Sequence, residues 1–121
     1  MAEAVTGIGG IFFRAQDPKG LAEWYAKHLG ITDVHQAKGP WMQAAGPTVF
    51  SAFPAETDYF PTDKQVMFNF RVSDMEKMIA QLEAAGIEVE TRPDEWDTMG
   101  IGRFARIHDP EGNPIELWEP R

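Results

Sequence analysis

The sequence contains no cysteine, which excludes disulfides, thiolate nucleophiles and cysteine-ligated zinc or iron–sulfur centres. Basic residues are also few, because 11 Lys and Arg stand against 19 Asp and Glu and give a net charge of −8. Duplex binding depends on neutralising phosphates with basic side chains, so this balance argues against a nucleic-acid partner. The negative charge leaves room for a cationic ligand.

Long apolar runs are missing as well. No stretch approaches the roughly 18 consecutive apolar residues that indicate a membrane span. The first residues, MAEAVTG, have neither the basic start nor the apolar segment of a signal peptide. With 43% hydrophobic and 25% charged residues, the chain has an ordinary globular composition. We therefore expect one cytoplasmic domain over residues 1–121, with no membrane partner.

An internal repeat is the first positive feature. Residues 13–17, FRAQD, match residues 70–74, FRVSD, and a helical pattern that stops at a Gly-Ile pair follows each copy. Further strand patterns in the first half lie at residues 31–35, 41–45 and 49–53. Two halves, about residues 7–57 and 64–120, thus share the order strand, helix and three strands. We predict an α+β fold, in which two pseudo-symmetric βαβββ halves form an open eight-stranded cup with the helices outside.

Residues 103–120 predict a β-hairpin. The segment Asp-Pro-Glu-Gly-Asn at 109–113 has proline and glycine where a tight turn needs them. A five-residue loop sets three cross-strand pairs on one face, which are His108 with Pro114, Arg106 with Glu116, and Phe104 with Trp118. Two interpretations of Glu116 stay open. It is either a pocket carboxylate that binds a ligand or moves a proton, or one half of an ion pair with Arg106.

The first strands of the two halves alternate between two kinds of side chain. The alternate residues on one side of these strands are uniformly apolar, including Phe13, Phe68 and Phe70, and are predicted to pack under the helices. The residues on the other side include aromatic, amide and charged groups. These groups must pair or meet water or a ligand, because unpaired buried charge is costly. The candidate ligand-binding residues are Phe12, Arg14, Trp41, Asn69, Arg71, Glu116 and Trp118.

Several of these candidates have a structural alternative. Arg14 and Arg71 offer a bidentate fork to a ligand carboxylate or carbonyl, yet ion pairs with nearby acidic residues are the interpretation that we favour. Glu116 is the first candidate for acid–base catalysis. His108 is the second because its pKa suits proton transfer near neutral pH, with packing at the rim as its alternative. The aromatic residues that either cover a cavity or form a dimer interface are Trp41, Tyr59, Phe60, Trp96 and Trp118.

The paired halves, the DPEGN turn and the following IELW resemble the vicinal oxygen chelate superfamily. That superfamily includes glyoxalases, extradiol dioxygenases, and fosfomycin- and bleomycin-resistance proteins. The resemblance covers nearly the whole chain and implies an eight-stranded open cup, commonly dimeric, with the ligand site inside.

The resemblance also implies where a metal would bind. In metal-dependent members the ligands come from an inward position of each first strand and from a Glu on each last strand. Glu116 matches the final Glu, whereas Gly10 and Met67 occupy the first-strand positions and residues 49–51 contain no carboxylate. A catalytic metal needs about three protein ligands. We therefore expect no cofactor, and Glu116 is the one expected ligand if a divalent metal does bind.

Together these observations imply a glyoxalase-like or bleomycin-resistance-like homodimer that binds a small molecule in the concave pocket without a metal. The alternative is an enzyme of the same superfamily, a lyase, isomerase or dioxygenase, in which Glu116 is the acid–base group or a metal ligand. If the protein is an enzyme, a glyoxalase-like lyase or isomerase is the first expectation.

Overall fold

The computed structural model describes residues 2–32 and 39–121. The elements of these residues are α1 (Pro18–Leu29), β1 (Phe68–Arg71), α2 (Met75–Ala84), α3 (Pro93–Trp96), β2 (Gly102–His108) and β3 (Pro114–Pro120). β3 lies between the other two strands, parallel to β1 and antiparallel to β2. The architecture is therefore α+β with a small, open, mixed sheet.

Local chemistry sets the ends of the two longer helices. The Asp17 carboxylate accepts a hydrogen bond from the backbone N–H of Gly20 at 3.0 Å, and a proline follows in the first turn of α1. Asp74 caps α2 in the same way, through the N–H of Lys77 at 3.1 Å. Within the described ranges, no helix has both the length and the apolar character needed to cross a membrane. The cytoplasmic location stays a prediction.

The core lies between the helices and one face of the sheet. Ile107, Ile115 and Leu117 on that face are fully buried together with Met75 and Leu82 of α2. Their removal from water is the main stabilising contribution to this half of the fold.

The phenylalanines of β1 lie on the core side, as predicted. Phe68 belongs to the buried cluster and Phe70 packs against it. Phe13 meets Phe68 edge to face with 4.9 Å between ring centroids, and Tyr25 of α1 meets Phe70 at 6.4 Å. The predicted packing of the apolar side chains under the helices is confirmed at Phe68 and Phe70, whereas Phe13 is 46% exposed.

The first half of the chain differs from the prediction. Residues 8–15, 41–45 and 49–53 are described and form no strand, while most of 31–35 lies outside the described residues. The described part therefore contains three strands, and neither the eight-stranded cup nor the pseudo-symmetry is confirmed. Residues 8–14 and 41–53 are exposed along their whole length, and no neighbouring strand in the described part of the chain supplies the backbone partners that a strand needs.

The C-terminal hairpin has the predicted register. All three cross-strand pairs are confirmed, namely His108 with Pro114, Arg106 with Glu116, and Phe104 with Trp118. The turn closes through hydrogen bonds from Asp109 N to Asn113 O at 3.1 Å and from Gly112 N to Asp109 O at 2.9 Å. Gly112 has a φ of 80°, a left-handed conformation that favours glycine.

Asp109 is the buried polar centre of this turn, with only 4% of its surface exposed. Its Oδ1 accepts hydrogen bonds from the backbone N–H groups of Glu111 and Asn113 at 2.9 and 3.0 Å. Its Oδ2 accepts from the Asn113 amide at 2.8 Å and from the Tyr25 hydroxyl at 2.7 Å. One carboxylate thus shapes the turn and connects it to α1.

The same turn also holds the segment that precedes α1. The Glu111 carboxylate accepts hydrogen bonds from the backbone N–H groups of Gln16 and Asp17 at 2.7 and 2.9 Å. Lys64 donates to the Glu111 carbonyl at 3.3 Å. Placing a negative charge beside the first residues of a helix also suits the helix dipole.

Asp109→Ala should lower the free energy of unfolding by about 3 kcal/mol, because it leaves buried donors without an acceptor. Tyr25→Phe removes one of these hydrogen bonds and should cost about 1 kcal/mol. Urea denaturation measures both values. The exposed Asp63 supplies a matched control in Asp63→Ala. Equal losses in Asp109→Ala and Asp63→Ala would contradict the role given to Asp109.

Candidate functional site

A row of polar residues crosses the sheet on the face opposite the core. Asn69 of β1 is paired with Glu116 of β3, and Glu116 is paired with Arg106 of β2. An isolated bridge then pairs Arg106 with Glu90. We call Asn69, Glu116, Arg106 and Glu90 the polar row. Since side chains alternate along a strand, the row lies opposite the buried side chains of the same strands.

Glu116 is held by two neutral donors. It is 8% exposed. Its Oε1 accepts a hydrogen bond from Asn69 Nδ2 at 2.8 Å, and its Oε2 accepts one from the Tyr59 hydroxyl at 2.6 Å. The ion pair with Arg106, one of the two interpretations that the sequence left open, is not among the salt bridges formed in residues 2–32 and 39–121. Glu116 is therefore a buried carboxylate that neutral groups stabilise.

The guanidinium of Arg106 lies against two aromatic rings instead. Its Cζ is 4.8 Å from the ring centroid of Tyr59 and 5.3 Å from that of Trp96. Arg106 is also 8% exposed. Cation–π attraction offsets part of the cost of removing this charge from water.

Tyr59 contacts both members of this charge pair. Burial, the hydrogen bond to Glu116 and the negative charge of Glu116 raise the pKa of Tyr59 from 10.0 to about 12, and Arg106 partly opposes the shift. The hydroxyl therefore stays protonated at neutral pH and acts as a donor. Its ring stacks on Phe53 at 5.5 Å and meets Trp96 at 6.3 Å. We call Tyr59 and Trp96 the aromatic cover of Arg106.

Trp118 extends the site along β3. It lies two residues from Glu116 on the same face and stacks on Phe104, with ring centroids 6.1 Å apart and planes 2° apart. Its indole Nε1 donates to the carbonyl of Ile101 at 2.9 Å. A rigid, flat apolar surface thus borders the polar row.

Asn69, Arg71, Glu116 and Trp118 are the predicted ligand-binding residues that the strand register places on one face, since Arg71 is paired with Trp118. Arg71 donates from Nη2 to the carbonyl of Ala44 at 3.0 Å. Trp41 meets the ring of Phe70 edge to face at 6.4 Å, and Phe70 belongs to the core side of β1. The tryptophan therefore borders the core side and not the polar row.

The remaining two candidates lie on N-terminal backbone without regular structure. Phe12 is 95% exposed. Arg14 lines a surface groove of about 460 Å³, together with Lys64 and Glu111. Neither residue has a contact with Glu116 among the hydrogen bonds and ring contacts of the described residues.

The second catalytic candidate, His108, is exposed at the outer strand β2. It lines a cleft of about 400 Å³ together with Arg106, Glu88, Glu90 and Trp24. This position agrees with the alternative interpretation of His108 as a residue of the rim.

Two features of the site were only partly visible in the sequence. The sequence includes Tyr59 and Trp96 among five aromatic residues that cover a cavity or form a dimer interface, and it does not indicate their partners. The predicted hairpin sets Arg106 opposite Glu116, but it does not show that the guanidinium contacts the two rings. The signal that could have found this contact is the position of Tyr59 and Trp96 in the segments that precede β1 and β2.

The donor set around Glu116 does not fit a divalent metal. The first-strand positions hold Gly10 and Met67, and Glu116 itself is hydrogen-bonded to an amide and a phenol. Across residues 2–32 and 39–121, no three His, Cys, Asp or Glu side chains are grouped so as to hold a metal ion. Transition-metal centres use about three such ligands. No chemical step is therefore assigned to a metal here.

In the folded protein Tyr59 should ionise only as the pH approaches 12. The stabilising contribution of Tyr59 is complete below its unfolded pKa near 10 and is lost as the pH rises through about 12. The free energy of unfolding should therefore fall over this window more in the wild type than in Tyr59→Phe. Urea denaturation along the pH series measures the difference. Tyr25→Phe leaves Tyr59 as the remaining tyrosine, so tyrosinate absorbance near pH 10 in that folded variant would contradict the assignment.

Comparison with known proteins identifies the family. The profile of the glyoxalase-like domain matches residues 10–118. The crystal structure of TnmS3, an antibiotic binding protein from Streptomyces sp. CB03234, matches with a TM-score of 0.61 and 21% identity, covering 99% of this chain and 100% of that chain. The structure of SMU.1112c is 28% identical over 67% of this chain and 58% of that chain, with a TM-score of 0.39. No curated protein matches the sequence. The chain belongs to the glyoxalase-like domain family, within the vicinal oxygen chelate superfamily.

Proposed function

We propose that the protein binds a small molecule on the sheet face that carries the polar row, without a metal ion. The observation that carries this proposal is the burial and hydrogen bonding of the Glu116 carboxylate. It is buried, it accepts one hydrogen bond on each oxygen, and it forms no salt bridge with another described residue. An ionised carboxylate has about four acceptor positions. Two of them are therefore free for donors of a ligand.

The surroundings of Glu116 support the same function. Tyr59, Trp96 and the stacked pair of Phe104 and Trp118 present aromatic surface around a few oriented polar groups. Small-molecule sites generally combine apolar walls with a small number of convergent polar groups. The description of TnmS3 as an antibiotic binding protein agrees with this role.

We also propose that the cup is completed when two chains associate as a homodimer. Apolar side chains of the first half are exposed in the single chain, including Phe12, Met42 and Phe50. The outer strand β1 leaves a sheet edge available for pairing. In a dimer, residues 8–15, 41–45 and 49–53 would pair as further strands of the cup, and the exposed apolar side chains would be covered.

Binding should weaken when Glu116 is replaced. A screen of small molecules by tryptophan fluorescence identifies a ligand for the wild type. Glu116→Ala should then raise the Kd of that ligand about ten-fold or more, because a hydrogen bond to a charged group is lost. Glu83→Ala, at an exposed position of α2, is the matched control and should leave the Kd unchanged.

Two further readouts of this experiment test the proposal. NMR and mass spectra of the recovered ligand should be unchanged, and a new product would support the lyase or isomerase alternative.

Protein washed with a chelator should keep its Tm and its affinity. A one-per-chain rise in Tm on adding Ni²⁺, Mn²⁺, Fe²⁺ or Zn²⁺, absent in Glu116→Ala, would overturn the metal-free proposal.

The dimer can be tested at Phe50. Sedimentation equilibrium should give twice the chain mass for the wild type. Phe50→Glu should shift the equilibrium towards monomer, because it places a charge in the proposed apolar interface. Glu56→Gln, at an exposed loop position, is the control. A monomeric wild type at all accessible concentrations would refute the dimer.

A further inference from the structure

Arg106 has two buried donors that the described part of the chain does not satisfy. Its Nε and Nη2 are covered from solvent and have no hydrogen-bond partner there. A guanidinium keeps its charge under all ordinary conditions, so it does not avoid the cost of burial by losing a proton. Buried polar groups are nearly always satisfied in folded proteins. The two donors therefore point to a partner that comes from outside these residues.

The neighbouring carboxylates are engaged with other groups. On one side of Arg106 in the polar row, Glu116 accepts from Tyr59 and Asn69. On the other side, Glu90 is bound to Arg92, with 2.7 Å between its Oε2 and the Arg92 Nη2. Both adjacent carboxylates are thus engaged with other groups, and neither accepts a hydrogen bond from the two free donors of Arg106.

The positions of the two free donors on the guanidinium limit the chemical class of the partner. Nε–H and the nearer N–H of Nη2 lie on one edge of the planar guanidinium and point in nearly the same direction. Such an edge matches the two oxygens of a carboxylate in a bidentate pair. A single carbonyl oxygen would leave one of the donors poorly satisfied. The pattern therefore favours a planar acceptor with two oxygens.

The apolar surface around Arg106 indicates what the acceptor is attached to. The aromatic cover lies over the guanidinium, and the stacked rings of Phe104 and Trp118 lie further along the same face. A flat aromatic body can pack against these rings while its acid group reaches Arg106. Because the donors are buried, the aromatic cover must shift to admit the acid. Trp96 lies on the four-residue helix α3, which has no side-chain cap.

We propose that the ligand is an aromatic carboxylic acid whose carboxylate is bound by the Nε and Nη2 edge of Arg106. This inference rests on the proposed binding function and names the ligand class for that site. Arg106 is then the residue that determines specificity, while Glu116 and Asn69 orient the remainder of the ligand.

Three probes with one ring system test the class: 2-naphthoate, 2-naphthamide and 2-naphthylmethylammonium. Each is titrated into ¹⁵N-labelled wild-type protein, and the arginine Nε–H and tryptophan indole signals are followed by NMR. Naphthoate should bind about ten-fold or more tightly than the other two, because the charge-assisted pair forms with it alone. The Nε–H signal of Arg106 should move downfield, and the indole signal of Trp118 should also move.

Two matched variants accompany these titrations. Arg106→Lys keeps the positive charge but removes the bidentate edge, so its affinity for naphthoate should fall about ten-fold, to the level of naphthamide. Arg103→Lys changes the same residue type on the same strand. Its side chain faces Glu76, with 3.6 Å between the charged groups, and it should bind naphthoate as the wild type does.

The outcomes separate the ligand class from the binding function. If all three probes bind equally and move the Trp118 signal without moving that of Arg106, the proposal of a carboxylate ligand is overturned. The proposal that this face of the sheet binds a small molecule is then retained. If no probe moves the signals of Trp118 or Arg106, both proposals are overturned. The titrations of the wild type give either result even when Arg106→Lys does not fold.

Discussion

The pairing of β2 with β3 is the constraint on which the rest of the structure depends. Side chains alternate with a period of two, so a slip of one residue would exchange the two faces of the hairpin. In the observed register, Ile107, Ile115 and Leu117 enter the core, while Arg106 and Glu116 reach the opposite face. The same turn geometry therefore determines both the stability of the core and the composition of the site.

Two opposite charges lie side by side on that face without forming a salt bridge. Each is stabilised separately, Glu116 by neutral hydrogen-bond donors and Arg106 by aromatic rings. A direct ion pair would have satisfied both groups and closed the site. The observed arrangement keeps the carboxylate oriented and leaves the cation with unused hydrogen-bonding capacity. Folding thus holds two opposite charges side by side while two donors of the guanidinium remain without a partner among the described residues.

The parts of the fold that could be predicted from sequence are those with local causes. The turn at residues 109–113 and strict alternation were sufficient for the hairpin register, and alternation predicted the same face for Asn69 and Glu116. The pairing of β1 with β3, which makes these two residues neighbours, was not predicted. The first half was harder because its strands would depend on partners distant in the chain. The choice of Arg106 between Glu116 and the aromatic rings could not be predicted. It depends on how two loops fold over the sheet, which no periodicity describes.

The contacts of Glu111 and Asp109 have a consequence for the order in which the protein can assemble. The turn that contains them follows α1 in the chain by some eighty residues, yet it supplies acceptors for the segment before the helix and for Tyr25 within it. During synthesis on the ribosome, α1 therefore emerges long before its anchoring groups exist. The N-terminal segment cannot make these contacts until the hairpin has formed, so their formation requires the closure of a long stretch of chain.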